Sequence, residues 1–309
     1  MILIVGSSKD PVVNRVVLDI QAIGHQYAII DCADPNQYSF QPKLINDLHV
    51  FRIVGGNCIG RRQIGCVFLR YPMIDRLTSL NYQSMLNLIT DINKLILFSQ
   101  VTVVNPPYKS YENYAKPLQL FHLAKAGFNV PRTLVTNSFD QLAYFYNACK
   151  GKVIMKGVSN MRTLATLVEK EQLLQATSLL SNCPTQFQEY IHGADYRVHV
   201  VNTECFITRI ASQNEDYRRS AMRNRHQIYV SESQLPVELV ENCVKFTRDL
   251  GLVISGMDFK EADDGKFYAL ELNPYPQFTF YEGYTGQRIT RSVVHYLIEN
   301  DRPRSYVFA

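Results

Sequence analysis

The chain opens on an unbroken apolar run, Met1 to Gly6, that ends in Gly6-Ser7-Ser8. Val12, Val13, Val16, Val17 and Ile20 then recur at helical spacing up to Gly24, and a second apolar run, Tyr27 to Ile30, stops at Asp31. A short continuous apolar run feeding a 3.6-residue period and then another apolar run predicts a buried strand, a helix and a second strand. Because such crossovers are right-handed, the two strands should lie parallel in one sheet. Val67 to Arg70 and Val101 to Val104 predict two more strands, the latter running into Asn105-Pro106-Pro107, where the prolines mark a boundary.

Beyond the prolines the pattern alternates between helix and strand. A helix is expected from about Tyr114 to Ala126, stopped by Gly127 with Pro131 beyond it. Next come a strand at Thr133 to Thr136, a helix at Ser138 to Ala148, a strand at Lys152 to Lys156, a helix near Lys170 to Ser181, and a strand at Thr185 to Ile191 ending at Gly193. Tyr196 to Ala211 alternates with period two, as antiparallel strands do. A helix from about Val237 to Leu250 precedes a hairpin, and a helix near Gln287 to Glu299 follows it. There is no internal repeat and no low-complexity tract.

Composition narrows the class. With 309 residues, 46% hydrophobic and 19% charged, the chain can bury enough apolar surface to offset its ordering entropy, which excludes a disordered protein. A net charge of +4 is too small to announce a nucleic-acid binder. The seven cysteines (Cys32, Cys58, Cys66, Cys149, Cys183, Cys205, Cys243) form no CxxC pair, so reduced and mostly buried thiols in a cytoplasmic protein are expected. Neither a signal peptide nor a membrane span is apparent.

The segment Gly256 to Pro274 carries the most chemistry. Asp264-Gly265 suits a two-residue type I′ hairpin loop, which would pair Asp263 with Lys266. Carried along the strands, that register sets Asp258 directly opposite Glu271 and places Asn273 on the same face, with Met257/Leu272 and Phe259/Leu270 on a core face. Two like charges opposed across a ladder repel, and a cation between them removes the penalty. Asp, Glu and Asn offer oxygen only, which suits a hard ion such as Mg²⁺ shared with substrate phosphates. Taken alone, the same pattern also fits a solvated strand face.

Asp on one strand with Glu-x-Asn on the next resembles the metal site of the ATP-grasp ligases, and most closely the RimK-like branch, in which a Pro-containing loop (here Pro274-Tyr275-Pro276-Gln277-Phe278) and a final helix follow. Three further landmarks fall in the family's order. Lys116 and Lys156 resemble the two nucleotide lysines. Phe187 to Arg197 resembles the hinge, which implies that Gln188, Glu189 and Ile191 read adenine and Asp195 accepts from the ribose. The resemblance implies an α/β protein with an α+β C-terminal half: an ATP-grasp fold behind a Rossmann-like parallel-sheet pre-grasp domain. The divisions would be 1–105 (pre-grasp), 106–186 (central subdomain) and 187–309 (C-terminal subdomain with the metal site). The chain departs from the family after Lys156, where Gly157-Val158-Ser159-Asn160-Met161-Arg162-Thr163 holds a single glycine; Ser159, Arg162 and Thr163 would then cover the phosphates with side chains.

The implied chemistry uses ATP and Mg²⁺. The γ-phosphoryl passes to a substrate carboxylate, and an amine or hydroxyl displaces phosphate from the acyl phosphate. Asp258, Glu271 and Asn273 would hold the metal, while Arg197 and Arg218 would serve catalysis, Arg218 at the developing oxyanion. Expected partners are the carboxylate and amine substrates, on an amino acid, a peptide or a protein, with no nucleic acid and no membrane; a homo-oligomer stays open. A macrocyclase that cross-links a ribosomal peptide through Asp or Glu side chains is the alternative within the family. Two other classes are a nucleotide-binding regulator without turnover, prompted by the glycine-poor loop, and a dinucleotide oxidoreductase, which the absence of GxGxxG after Gly6 disfavours. The basic residues Arg218, Arg219, Arg223 and Arg225 could receive an acidic peptide or form a solvated loop. His199 is assigned no role, and the aromatic residues Tyr275, Phe278, Phe280, Tyr281 and Tyr284 read as a loop divided between a substrate mouth and the core.

Overall fold

A computed structural model describes residues 1–45, 48–53, 58–60, 63–71, 79–99, 101–109, 115–158, 165–170, 183–212 and 228–302. The expected helix near 170–181 beyond Lys170, the loop residues Ser159, Arg162 and Thr163, and the arginines 218, 219, 223 and 225 lie outside these residues.

The N-terminal part is a four-stranded parallel sheet in the order β2-β1-β6-β7, with β1 at Ile2–Gly6, β2 at Tyr27–Asp31, β6 at Cys66–Arg70 and β7 at Thr102–Val104. All five residues of β1 are buried, because alternate side chains go to opposite covered faces. Ile2 and Ile4 meet α1 (Pro11–Ile23), whereas Leu3 and Val5 meet α2 (Ser79–Ser99). Helix α1 is capped by the Asp10 carboxylate on Val12 N–H and ends at Gly24, whose φ of 78° closes the last turn. The expected elements did not include α2, nor a three-stranded antiparallel sheet β3-β4-β5 (Tyr38–Ile45, Leu48–Ile53, Cys58–Gly60) placed between β2 and β6 in the chain.

Two antiparallel sheets follow. The central one has the order β10-β9-β11-β8, from β8 (Thr133–Thr136), β9 (Val153–Lys156), β10 (Thr166–Leu167) and β11 (Thr185–Glu189). Phe187 and Val153 pack against Leu142 of α4 (Phe139–Ala148). The C-terminal sheet has the order β14-β13-β12-β15-β16, from β12 (Gly193–Val201), β13 (Glu204–Ser212), β14 (Ile228–Glu232), β15 (Ile254–Ala262) and β16 (Phe267–Asn273). One face buries Val198, Met257, Phe259, Ala269 and Leu272 beneath α3 (Lys116–Lys125) and α5 (Val237–Asp249). Although α3 lies within residues 106–186, it packs on this C-terminal sheet. The last helix, α7 (Ile289–Glu299), returns to the first sheet, where Val293 and Leu297 join the core of Ile2 and Ile4.

In the aromatic segment after β16, Tyr275 and Phe278 lie in a loop as expected, whereas Phe280, Tyr281 and Tyr284 lie on a helix, α6 (Thr279–Thr285). Phe278 and Tyr281 are buried and Tyr284 is exposed, so the segment is divided between core and surface as expected. Cys32, Cys66, Cys149 and Cys243 are buried, Cys205 is half-buried and Cys183 is exposed. Burial pushes the Cys32 and Cys66 thiols up to about 12, which keeps them protonated and inert. Among the described residues no helix is long and apolar enough to cross a membrane.

Candidate active site

The site lies on the face of the C-terminal sheet opposite α3 and α5, and the register of three strands builds it. Arg197 pairs with Asp258 across β12 and β15, and Asp258 pairs with Glu271 across β15 and β16. One row toward the hinge, Asp195 pairs with Lys260; one row the other way, His199, Gly256 and Asn273 align.

The expected juxtaposition of Asp258 and Glu271 is present, but the hairpin reaches it by another route. The Gly265 N–H donates to Ala262 C=O and the Ala262 N–H to Lys266 C=O, so the loop has three residues, Asp263-Asp264-Gly265, with Gly265 at φ 78°. This is a β-turn closed by a left-handed glycine, which Asp-Gly serves as well as it serves the two-residue loop. The change shifts the lower hairpin by one, so Phe259 faces Ala269, not Leu270. A bulge between Asp258 and Phe259 restores the register, with Leu270 as the extra residue. Ala269 therefore takes the core place expected of Leu270.

The electrostatics are those of a compensated acidic pair. Arg197 Nη1 lies 2.7 Å from Asp258 Oδ1, both side chains largely buried, so one of the two opposed carboxylates carries its own counter-charge. Asn273 Oδ1 accepts from the Tyr275 N–H at 2.8 Å, which fixes the amide and leaves that oxygen a second lone pair. Among the described residues no group of three or more His, Cys, Asp and Glu is gathered. Two carboxylates and one amide oxygen would be too few to enclose an ion, and their oxygen-only chemistry would suit Mg²⁺ that completes its shell with phosphate oxygens and water.

The remaining expected residues lie on neighbouring elements. Lys116 begins α3, which packs on β16. Lys156 ends β9, and its Nζ donates to Gln188 Oε1 at 3.0 Å, while Gln188 Nε2 donates to Thr133 Oγ1 at 3.2 Å. Glu189 ends β11; its carboxylate is held by Nε and Nη2 of Arg132, at 2.9 and 3.0 Å, which lowers its pKa. Tyr190, Ile191 and His192 connect the central sheet to the C-terminal one. Asp195 Oδ2 lies 3.0 Å from Lys260 Nζ, which also donates to Gly193 C=O.

Several positioning groups were not evident from sequence. Lys260 is one for which a signal existed, since it alternates with Asp258 on the site face. Gln119, one turn into α3, has no such signal. Its Nε2 donates to Leu272 C=O at 2.7 Å and its Oε1 accepts from Leu272 N–H at 2.9 Å, both buried, so it completes the outer edge of β16 between Glu271 and Asn273. From the N-terminal part, Asn105 donates to Ile254 C=O and Pro274 C=O and accepts from the Val253 and Ile254 N–H groups. Arg70 donates to Asp10, to the Tyr275 and Pro276 carbonyls and to Gln277 Oε1. Gln119 thus holds strand β16, and Asn105 and Arg70 hold the loop after it, from outside that sheet.

Two antiparallel sheets joined at a hinge, with lysines from two elements and a carboxylate pair on the facing strands, define an ATP-grasp ligase. The chain belongs to the RimK-like ATP-grasp family: the RimK-like ATP-grasp domain matches residues 112–297. Among solved structures, the chain is similar to the ATP-grasp ligase PsnB complexed with its minimal precursor, at 26% identity, 97% of this chain, 99% of that one and a TM-score of 0.80. PsnB has also been solved with a phosphomimetic variant of that precursor, Mg and ADP. The macrocyclase MdnC from Microcystis aeruginosa MRC, bound to the precursor peptide MdnA, shares the fold at 21% identity, 96% and 99% coverage and a TM-score of 0.80. So does a RiPP-associated ATP-grasp ligase of Chryseobacterium gregarium, in complex with ADP and a leader and core peptide, at 18% identity, 98% and 99% coverage and a TM-score of 0.82. No curated protein matches the sequence significantly.

Proposed function

We propose that this chain is an ATP- and Mg²⁺-dependent ligase acting on a precursor peptide, in which it activates a carboxylate and joins it to an amine or hydroxyl. The observation that carries the reading is the end-to-end correspondence with PsnB, a ligase solved with precursor, nucleotide and Mg, in a chain that keeps an opposed Asp258 and Glu271. Nucleotide would lie between the central and C-terminal sheets. Gln188, Glu189 and Ile191 would read adenine; because Arg132 already holds the Glu189 carboxylate and its carbonyl accepts the Glu189 N–H, Glu189 would contribute through its own carbonyl. Asp195, oriented by Lys260, would accept from the ribose. Lys116 and Lys156 would neutralise the phosphates, with Ser159 and Arg162 covering them.

Asp258, Glu271 and Asn273 would hold Mg²⁺, which supplies charge neutralisation on the phosphate oxygens. Arg197, fixed beside Asp258, would stabilise the phosphoryl group as the substrate carboxylate oxygen attacks the γ-phosphorus and ADP departs. Arg218 would stabilise the oxyanion that forms when the amine or hydroxyl attacks the acyl carbon. Phosphate then leaves and the nucleophile's proton is released. No covalent bond to the protein is required.

The test is mass spectrometry of peptide probes, the PsnB minimal precursor and synthetic peptides bearing Asp or Glu with Lys, Ser or Thr, after incubation with protein, ATP and Mg²⁺. Loss of water with ADP release supports internal amide or ester formation. Gain of an amino-acid residue when free amino acids are supplied would redirect the reading to a residue-adding ligase. Nucleotide binding without ADP release across the series would leave a regulator.

A further inference from the structure

His199 lies at the heart of the site face, fully enclosed, and the reaction as described makes no use of it. Burial, reinforced by the neighbouring Arg197 guanidinium, pulls its pKa well below the ordinary histidine value, so the ring is neutral. Its Nε2 is 3.4 Å from Arg197 Nε. Arginine has only hydrogens to give, so Nε2 accepts and the ring proton belongs on Nδ1. Among the described residues Nδ1 has no hydrogen-bond partner, and the ring stands edge-on to Tyr281, with centroids 4.9 Å apart, and to Phe278. A buried donor left without an acceptor is costly, and a fold that keeps one where an apolar side chain would pack is retaining the ring for its other nitrogen.

The residues around that contact share one feature: each walls in the Arg197 guanidinium. Gly256 is the ladder partner of His199, and a Cβ built there would lie 2.9 Å from both Cζ and Nη2 of Arg197 and 2.7 Å from Pro276 Cβ. The guanidinium occupies the space that any other residue at 256 would fill. Tyr281 presents its ring 5.8 Å from Arg197 Cζ, within cation–π range. Asp258 takes Nη1 at 2.7 Å.

We propose that His199 is a positioning residue: with Gly256 and Tyr281 it forms a slot that fixes the Arg197 guanidinium at the metal-side carboxylate, where it meets the γ-phosphoryl group. The proposal rests on the reading that Arg197 acts on that phosphoryl. Arginine has many rotamers in water, and a guanidinium already aimed needs no reorganisation when charge develops on the phosphoryl oxygens. An enclosed, apolar-walled slot also strengthens the interaction by excluding water. A protonated imidazole at this place would repel Arg197, which is why the slot requires a neutral acceptor.

The experiment compares binding of Mg-AMPPNP and Mg-ADP to the full chain by calorimetry, because only the former carries the γ-phosphoryl. His199→Leu keeps an apolar filling and removes the acceptor. It is expected to weaken AMPPNP roughly tenfold, the loss of one hydrogen bond to a charged group, with ADP affinity unchanged. His199→Gln, which returns an acceptor oxygen near the Nε2 position, should recover most of that loss. Gly256→Ala, which pushes a methyl group into the guanidinium and leaves His199 in place, should show the same AMPPNP-selective defect, and it decides the matter if the leucine variant does not fold. Wild-type AMPPNP affinity in either the Leu or the Ala variant, or equal loss for both nucleotides, overturns the proposal. A wild-type protein that binds neither nucleotide overturns the functional reading instead.

Discussion

Replacing Gln119 by leucine tests whether the metal-side strand is held from α3. The side chain is buried, and its two hydrogen bonds, at 2.7 and 2.9 Å, are directed to the carbonyl and N–H of Leu272. Leucine has similar bulk and none of the polarity, so both backbone groups would be left buried and unpaired. At about 1–3 kcal/mol per unsatisfied group, the loss is about 2–6 kcal/mol. For the cooperative unit that contains β16 this lowers the melting midpoint by roughly 2–4 °C per kcal/mol. A functional loss is superimposed, because Leu272 lies between Glu271 and Asn273. If the strand relaxes by even 1 Å, turnover at a temperature where the variant is folded should fall about 100-fold. Gln119→Glu is the companion: it keeps an acceptor for the Leu272 N–H but sets a carboxylate against the Leu272 carbonyl, so it should be no more stable than the leucine variant. The assays are denaturation monitored by circular dichroism and ADP release. A leucine variant within about 0.5 kcal/mol of the native protein, the range of ordinary surface substitutions, would refute the claim that this side chain completes the edge of β16.

Three further outcomes are expected. Glu271→Gln keeps shape but removes one of the two opposed charges, so ADP formation should drop about 100-fold or more while stability holds or rises slightly, the carboxylate repulsion being relieved; normal turnover by this variant would mean the metal site is misassigned. His199 is held neutral with a lowered pKa, so below its ordinary value of 6.5 the unfolded chain takes up a proton that the folded chain refuses. Stability should therefore decline as pH falls below 6.5, by up to about 1.4 kcal/mol per pH unit from this residue, and His199→Gln should remove that increment; parallel denaturation profiles for the two proteins would contradict it. Lys260→Met breaks a largely buried ion pair with Asp195 and should destabilise the protein, by up to about 3–5 kcal/mol, as chemical denaturation would show; a variant as stable as the native protein would mean the pair contributes nothing.

Elements whose side chains obey a local period are legible in the amino-acid order alone. Met1 to Gly6 reads as a buried strand, since nothing polar interrupts it, and the β1-α1-β2 opening follows from the helical spacing of Val12 to Ile20. That Glu271 and Asn273 share one face was legible because strand alternation within β16 places them there whatever surrounds them. In α2 the buried Met85, Leu88, Ile92, Leu95 and Ile96 keep a helical period, so that helix was present in the pattern, whereas the β3-β4-β5 sheet is defined by how its strands pair.

Tertiary structure decided the register and the support. Asp258 faces Glu271 because a three-residue turn and a bulge at Leu270 offset one another, and the Asp264-Gly265 pair fits either turn. The choice between them depends on which residue, Ala269 or Leu270, fills the space beneath α3 and α5, and that is a property of the packed core. Gln119, Asn105 and Arg70 reach strand β16 and the loop after it from residues 153 to 207 positions away. A carboxamide or guanidinium in a sequence has no direction until the chain has folded around it. The same holds for His199, an unremarkable alternating residue in β12 until burial, a glycine opposite and an arginine two residues before it make the ring a neutral acceptor in a closed slot.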